Sequence, residues 1–316
     1  MMMDNVDSIL FTSLNHEVFD YIHPDYNLLI HREGSTDEQR VKLLSINLIM
    51  ASGMEDKFKD VLLCHRFKNK LCTIAAGRGY INTIRWAREH GCEWNVDTCK
   101  AAAEGGHLDC LIWAREHGCL WKSRDICNAA ARGGHLDCLI WARGHGCDWN
   151  SETCRAAASQ GQLDCLIFAR QYGCNWDVTT TSYAAQGGHL DCLIWAQEHG
   201  CDWDVTTCAN AAGEGHLSCL IWAREHGCDW DFSTCRAAAE GGHLDCLIWA
   251  REHGCDWDSY TCLYAAGGGH LDCLIWAQNH GSLLFPSESF CIAQAAGHTN
   301  VTDYILSQGL PSIQSV

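Results

Sequence analysis

The chain has 316 residues, is 47% hydrophobic and carries 22 basic against 39 acidic side chains, a net charge of -17. A surface this acidic repels phosphate backbones and anionic headgroups, which argues against nucleic acid and membrane surfaces as partners. No apolar run approaches the roughly 18 residues of a membrane span, and residues 1–20 hold Asp4, Asp7, Glu17 and Asp20 but no Lys or Arg, unlike the basic start of a secretory leader.

Residues 1–70 do not repeat. Residues 38–52 and 55–67 read as two helices broken at Ser52-Gly53. They are expected to form a helical cap, because the terminal unit of a stack covers an apolar face on one side and meets water on the other. Within Ile9 to His31, the run Leu14-Asn-His-Glu-Val-Phe-Asp-Tyr-Ile22 resembles an F-box, although the usual Leu-Pro start is absent. That resemblance implies an alternative role as a substrate adaptor for ubiquitin ligation.

From residue 71 to 316 one pattern recurs about nine times, its last copy degenerate. The segment Thr234 to Asp258, TCRAAAEGGHLDCLIWAREHGCDWD, represents it. His189, His216, His243 and His270 are spaced at 27, since 216 − 189, 243 − 216 and 270 − 243 all give that value. A fixed period in this range signals a solenoid whose units bury their apolar faces against their neighbours. Each unit reads as two helices. The first is Ala-rich, from about Cys235 to Glu240, with Thr234 or Ser233 expected as its cap and Gly241-Gly242 as its stop. The second runs from about Leu244 to His253 and stops at Gly254, with Cys246, Leu247 and Ala250 on one side of the wheel. Toward the end, Leu283-Leu284 and Pro286 interrupt the pattern.

The order Thr-x-x-x-Ala-Ala-x-x-Gly-His, Leu-Asp-x-Leu and Glu-His-Gly-x-Asp-x-Asp resembles the ankyrin repeat over about residues 71 to 316. The resemblance implies an all-α, ankyrin-like helix-turn-helix solenoid. The Thr-Pro-Leu-His tetrapeptide is replaced by versions of Thr-Cys-Arg-Ala. The period falls short of the roughly 33 residues of ordinary ankyrins, so β-hairpin fingers should be reduced or absent. Short repeats bearing Trp and Cys are similar to ankyrin-like proteins of large DNA viruses and of some algae and oomycetes.

Nearly all of the 23 cysteines recur at three places of the repeat, where reduced Cys serves as a small hydrophobe. They are expected to be buried and reduced, few close enough to bridge, in an intracellular, reducing compartment such as the cytoplasm of a cell or host. Cys235, His243, Cys246, His253 and Cys255 also suit zinc by type, which keeps a metal or redox sensor as the rival class. Against it, no Cys-x-x-Cys pair occurs, and Thr181 and Ser282 replace Cys in single units. No phosphate loop, Gly-x-Ser-x-Gly or His-Glu-x-x-His is present, so no enzyme and no cofactor is expected.

The expected role is a scaffold that binds a protein partner. Positions just after the first Cys vary from unit to unit, and by resemblance to ankyrins that side of the first helix lines a concave groove. Arg155, Tyr183, Asn210, Arg236 and Tyr264 are the candidate contacts, of types that interface anchors favour. The repeated Arg and Asp of the second helix are expected to form outer ladders of exposed pairs. Ile112, Ile140, Ile167, Ile194, Ile221, Ile248 and Ile275 are expected to form a partly exposed convex ladder, a possible self-association patch.

Overall fold

In a computed structural model, residues 50–51, 53, 55–56, 59–62, 70–121 and 123–308 are described. The F-box-like segment, most of the two expected cap helices and residues 309–316 lie outside the described residues. The chain divides into two compact units between Lys122 and Ser123. The first unit contains α1 (Lys59–Leu62), then the pairs α2 (Leu71–Ala76) with α3 (Ile81–Glu89) and α4 (Val96–Glu104) with α5 (Leu108–Glu116). The second contains α6 (Ser123–Gly133) with α7 (Leu136–Gly144), α8 (Ser151–Ala158) with α9 (Leu163–Gln171), and α10 (Val178–Gln186) with α11 (Leu190–Glu198). It continues with α12 (Val205–Gly213) and α13 (Leu217–Glu225), α14 (Phe232–Gly241) and α15 (Leu244–Glu252), and α16 (Thr261–Gly268) and α17 (Leu271–Asn279), and closes with α18 (Pro286–Ala295) and α19 (Thr299–Ser307). Among the described residues all regular structure is helical. No finger strands form: residues 199–204 alone connect α11 to α12.

Five inner helices, α4, α8, α10, α12 and α14, are started by an acid or amide rather than by the expected Ser or Thr. Asp231 accepts the Ser233 N–H at 2.8 Å, and Asn95, Asn150, Asp177 and Asp204 act alike at their helices. These residues stand with extended backbone just ahead of the first turn, where a side-chain oxygen reaches the free N–H groups. Thr234 lies in the first turn instead and is buried in the core. In α4 the matching Thr98 completes a capping box with Asn95. Pro286 does not break the pattern but opens α18 at its first turn, where a missing N–H costs nothing.

The core of a repeat is small: Cys235, Ala238 and Ala239 from the inner helix, Cys246, Leu247 and Ala250 from the outer helix, and Cys255 beyond it, all fully buried. Small inner residues let inner helices of neighbouring repeats pack along their lengths, whereas successive outer helices meet through few residues. The inner helices of the second unit are therefore its more closely packed side.

The period places a side chain, usually a histidine ring, against a glycine at successive joins within each unit. His189 opens α11, and its ring lies over Gly161 of the preceding repeat; a Cβ built at Gly161 would sit 2.6 Å from its Nδ1. Gly161 also has φ +69°, a left-handed conformation that L side chains avoid. His298 shows what else the ring does: its Nε2–H donates to the Gly267 carbonyl at 3.1 Å. Gln162 lies over Gly134 in the same way.

The outer helices are tied by an aromatic seam. Trp230, in the loop after α13, packs edge-on against Trp249 of the next outer helix with centroids 5.7 Å apart, and Trp176–Trp195, Trp203–Trp222 and Trp257–Trp276 repeat that geometry. His253 stacks on Trp249 at 4.3 Å and donates its Nδ1–H to the Trp249 carbonyl at 2.8 Å. Among the described residues the repeated arginines do not form the expected outer ion-pair ladder. Arg251 lies 4.7 Å over Trp257 and donates to the Cys255 carbonyl at 3.2 Å, and Arg88, Arg143, Arg170 and Arg224 behave likewise. The repeated aspartates stand in the first turn of their helices, where Asp109, Asp137 and Asp245 accept the N–H of the following cysteine, at 2.9 Å for Asp245. Each Arg–Trp contact contributes roughly 0.5–1 kcal/mol at such exposed sites. Of the isoleucine ladder, Ile140 is 47% exposed and the others are partly buried.

Apart from the exposed Cys291, the described cysteines are buried as expected, but the thiols are not merely filler. The third cysteine donates S–H to the carbonyl of the residue that caps its own inner helix: Cys174 to Asn150 at 3.0 Å, Cys201 to Asp177 at 3.3 Å and Cys255 to Asp231 at 3.2 Å. Ser282 keeps that bond to Asp258 at 3.5 Å. Thr181, where the first cysteine is replaced, donates to Asp202 at 3.0 Å. The first and third cysteines of a repeat lie near one another, as the hydrogen-bonded pairs Cys99–Cys119, Cys154–Cys174, Cys208–Cys228 and Cys235–Cys255 show. Regular bridges do not form: among the described residues twenty cysteines carry no disulfide and only Cys127 and Cys147, with Cα atoms 6.4 Å apart, are bonded. Hydrogen bonding to Cys255 and burial raise the Cys235 pKa, and burial pushes Cys201 and Cys246 up to about 12, so these thiols stay protonated at neutral pH. Among the described residues no cluster of His, Cys, Asp or Glu is arranged to hold a metal.

Gly161→Ala is expected to lower the unfolding free energy by about 2 kcal/mol or more, from left-handed backbone strain together with the ring collision. In a denaturation cycle with His189→Ala the two losses should fall short of adding, because the collision disappears with the ring. Cys201→Ser should be nearly neutral, while Cys201→Val should cost about 1–2 kcal/mol by orphaning the Asp177 carbonyl. Equal losses for the two cysteine variants would show that the thiol only fills space.

Candidate binding groove

The exposed side of the inner helices is where otherwise uniform repeats differ. In α14 the buried Ala238-Ala239 pair and Cys235 face the core, which leaves Arg236, Ala237 and Glu240 toward the groove. The same turn of the helix places Arg155 on α8, Tyr183 on α10, Asn210 on α12 and Tyr264 on α16. All five candidates lie in the second unit.

They gather into two clusters with Asn210 between. In the first, the Arg155 guanidinium lies 5.2 Å from the centre of the Tyr183 ring and is ion-paired to Glu152 one turn earlier. These three residues, with Asn128, Gln186 and Glu214, line a recess of about 410 Å³. Tyr183 is 38% exposed, and the Asp177 cap sets the start of its helix. The Asp177 carboxylate accepts both the hydroxyl and the backbone N–H of Thr179, which lowers its pKa below the ordinary 3.8. Asn210 donates to the Ser182 carbonyl at 3.5 Å and lines a smaller recess of about 260 Å³ with Gln186, Glu214 and Glu240.

The second cluster centres on Arg236. Its guanidinium is ion-paired to Asp258 and lies 4.5, 5.3 and 5.4 Å from the ring centres of Phe232, Tyr260 and Tyr264. Sequence reasoning named Arg236 and Tyr264 but missed Phe232, Tyr260 and Asp258, which stand in the loop and first turn ahead of the positions compared. Their signal was present: Tyr260 replaces the Thr179, Thr206 or Ser233 of other units. The expectation that every position just after the first cysteine opens to the groove is corrected at Ser182, which is buried and donates to the Thr179 carbonyl at 3.3 Å.

No protein-family model matches the chain, and no curated protein matches it. Among solved structures, the crystal structure of the human ASB11 ankyrin repeat domain is similar over 50% of this chain and 84% of that one, at 16% identity and a TM-score of 0.41. The repeat architecture therefore rests on the helices, caps and joins of this chain itself. None of its described helices is long and apolar enough to cross a membrane.

Acid is expected to loosen the start of α10. A carboxylate whose folded pKa is depressed gives stability that is complete above its unfolded value and is lost as pH falls through the folded one. Asp177→Asn should keep the cap, as Asn95 and Asn150 do, yet remove that share of the acid sensitivity below about pH 4. The check is amide exchange of Val178–Thr181 against pH in both proteins; identical profiles would mean the Asp177 charge is idle.

Proposed function

We propose that the chain is a non-enzymatic scaffold that binds a protein partner through the concave inner face of its repeats. One observation carries this reading: the inner face is where the repeats differ most, and its variable positions collect exposed tyrosines, arginines and three recesses. Tyr183, Tyr260 and Tyr264 are 38, 48 and 36% exposed there. Aromatic and Arg side chains dominate interface energetics because they bury large areas at low entropic cost. Stacks of repeats suit such binding, since each unit contributes one strip of an extended surface. Unbridged cysteines, nearly all of them buried, fit work in a reducing compartment, and the net charge of -17 favours protein over nucleic acid as partner. The ubiquitin-adaptor reading depends on the F-box-like segment, outside the described residues, and self-association on the half-covered isoleucines; no contact favours either.

The test uses the full chain as bait, with bound proteins identified by mass spectrometry. A partner captured by the wild type should bind at least about tenfold more weakly to a folded Tyr183→Ala/Arg236→Ala/Tyr264→Ala variant. An Ile140→Ser control on the convex side should leave that affinity unchanged. A folded triple variant with full affinity, or a loss confined to Ile140→Ser, would move the site off the groove.

A further inference from the structure

Large apolar side chains converge at one end of the inner face. Phe232, Tyr260, Tyr264 and Ile292 are 42, 48, 36 and 41% exposed. At two of these registers other repeats of the second unit place smaller residues: Val178 and Val205 match Phe232, and Thr179 and Thr206 match Tyr260, while Tyr183 shares the register of Tyr264. Ile292 stands six places before His298 just as Tyr264 stands six before His270, so two successive inner helices offer their apolar residue at one level. Tyr260, Leu263, Tyr264 and Ile292 line a recess of about 620 Å³ between them, with Glu240 at its rim. Gly267 leaves the wall bare there: a Cβ would come within 3.2 Å of Ile292. A recess of this size takes a large side chain, and leaving such a cluster in water is unfavourable unless something covers it.

Charge decides what covers it. Arg236 is already committed inside the chain, paired to Asp258 and boxed by three rings, so it holds the tyrosines in place rather than receiving an anion. The ionised groups left facing the groove beside the recess are Glu240 and, one repeat earlier, Glu214, both exposed. The chain as a whole carries -17. An occupant must bring an apolar anchor and positive charge together.

We propose that this recess captures a basic peptide segment of a protein partner by one large apolar side chain, with neighbouring Lys or Arg side chains over Glu240 and Glu214. It rests on the groove reading above and narrows it to one anchor point and one partner chemistry.

The experiment pans a display library of short random peptides against the immobilised full chain and measures the enriched consensus peptide by fluorescence anisotropy. Enriched peptides should carry net positive charge around a Leu, Ile, Met or Phe. Their affinity should fall about tenfold or more in Tyr264→Ala, several-fold in the surface variant Glu240→Gln, and steadily with added NaCl as exposed charges are screened. Acidic consensus peptides, no enrichment, or affinity indifferent to both variants overturns the proposal. Loss of binding in Arg155→Ala/Tyr183→Ala but not in Tyr264→Ala overturns the recess while leaving the groove reading in place. Loss only in Ile140→Ser removes both. A concentration-dependent dimer in light scattering that Tyr264→Ala abolishes would assign the recess to a second copy of the chain and overturn the proposal.

Discussion

The repeats are joined where a ring lies on a glycine, and much else follows from that contact. His189 over Gly161 leaves no room for a Cβ, so the inner helix must end in a residue that tolerates the left-handed turn. The close approach sets the spacing of the inner helices, and the spacing admits only small residues between them. Alanine and cysteine dominate the buried face for that reason. With so little apolar volume per repeat, stability cannot come from the core alone. The outer seam makes up part of the difference, because Trp230 against Trp249 and Arg251 over Trp257 cover the side that the inner contacts leave open. It occupies the same place in the chain as the loop that replaces a finger.

Polar bonds then fix the seam to the core. The Cys255 thiol donates to the Asp231 carbonyl, and the Asp231 side chain caps α14. One short stretch of chain thus serves the start of the inner helix and the end of the outer one. Ser282 shows that the requirement is a donor of small size rather than sulfur itself. What resists replacement is the pairing of a compact donor with the capped carbonyl.

Much of this architecture was legible in the sequence because it is periodic. The glycines, the histidines and the Leu-Asp-Cys run recur at fixed spacing, and each marks a helix end or a buried stripe. The contacts that were missed are those that periodicity does not orient. Asp231 sits in a polar loop, where a cap looks like any solvated acid until the extended backbone aims it at Ser233. Arg251 and Trp257 are separated by the turn at Gly254, so helical spacing gives no hint that they stack. At the groove, comparison among units found Arg236 and Tyr264 by their variation. It overlooked Phe232 and Tyr260 because the comparison began one turn too late. The pairing of Arg236 with Asp258 joins neighbouring repeats and depends on their packing, which no single unit displays.

Near-identity of adjacent repeats has a genetic consequence. Because His216 meets the repeat before it much as His243 and His270 do, a deletion or duplication of 27 codons within the middle of the second unit would fuse two surfaces that already fit. Unequal crossing-over within such a gene can therefore lengthen or shorten the protein without a misfolded intermediate. What each exchange alters is the order of the residues along the inner face, so recombination itself reshuffles which side chains stand next to which.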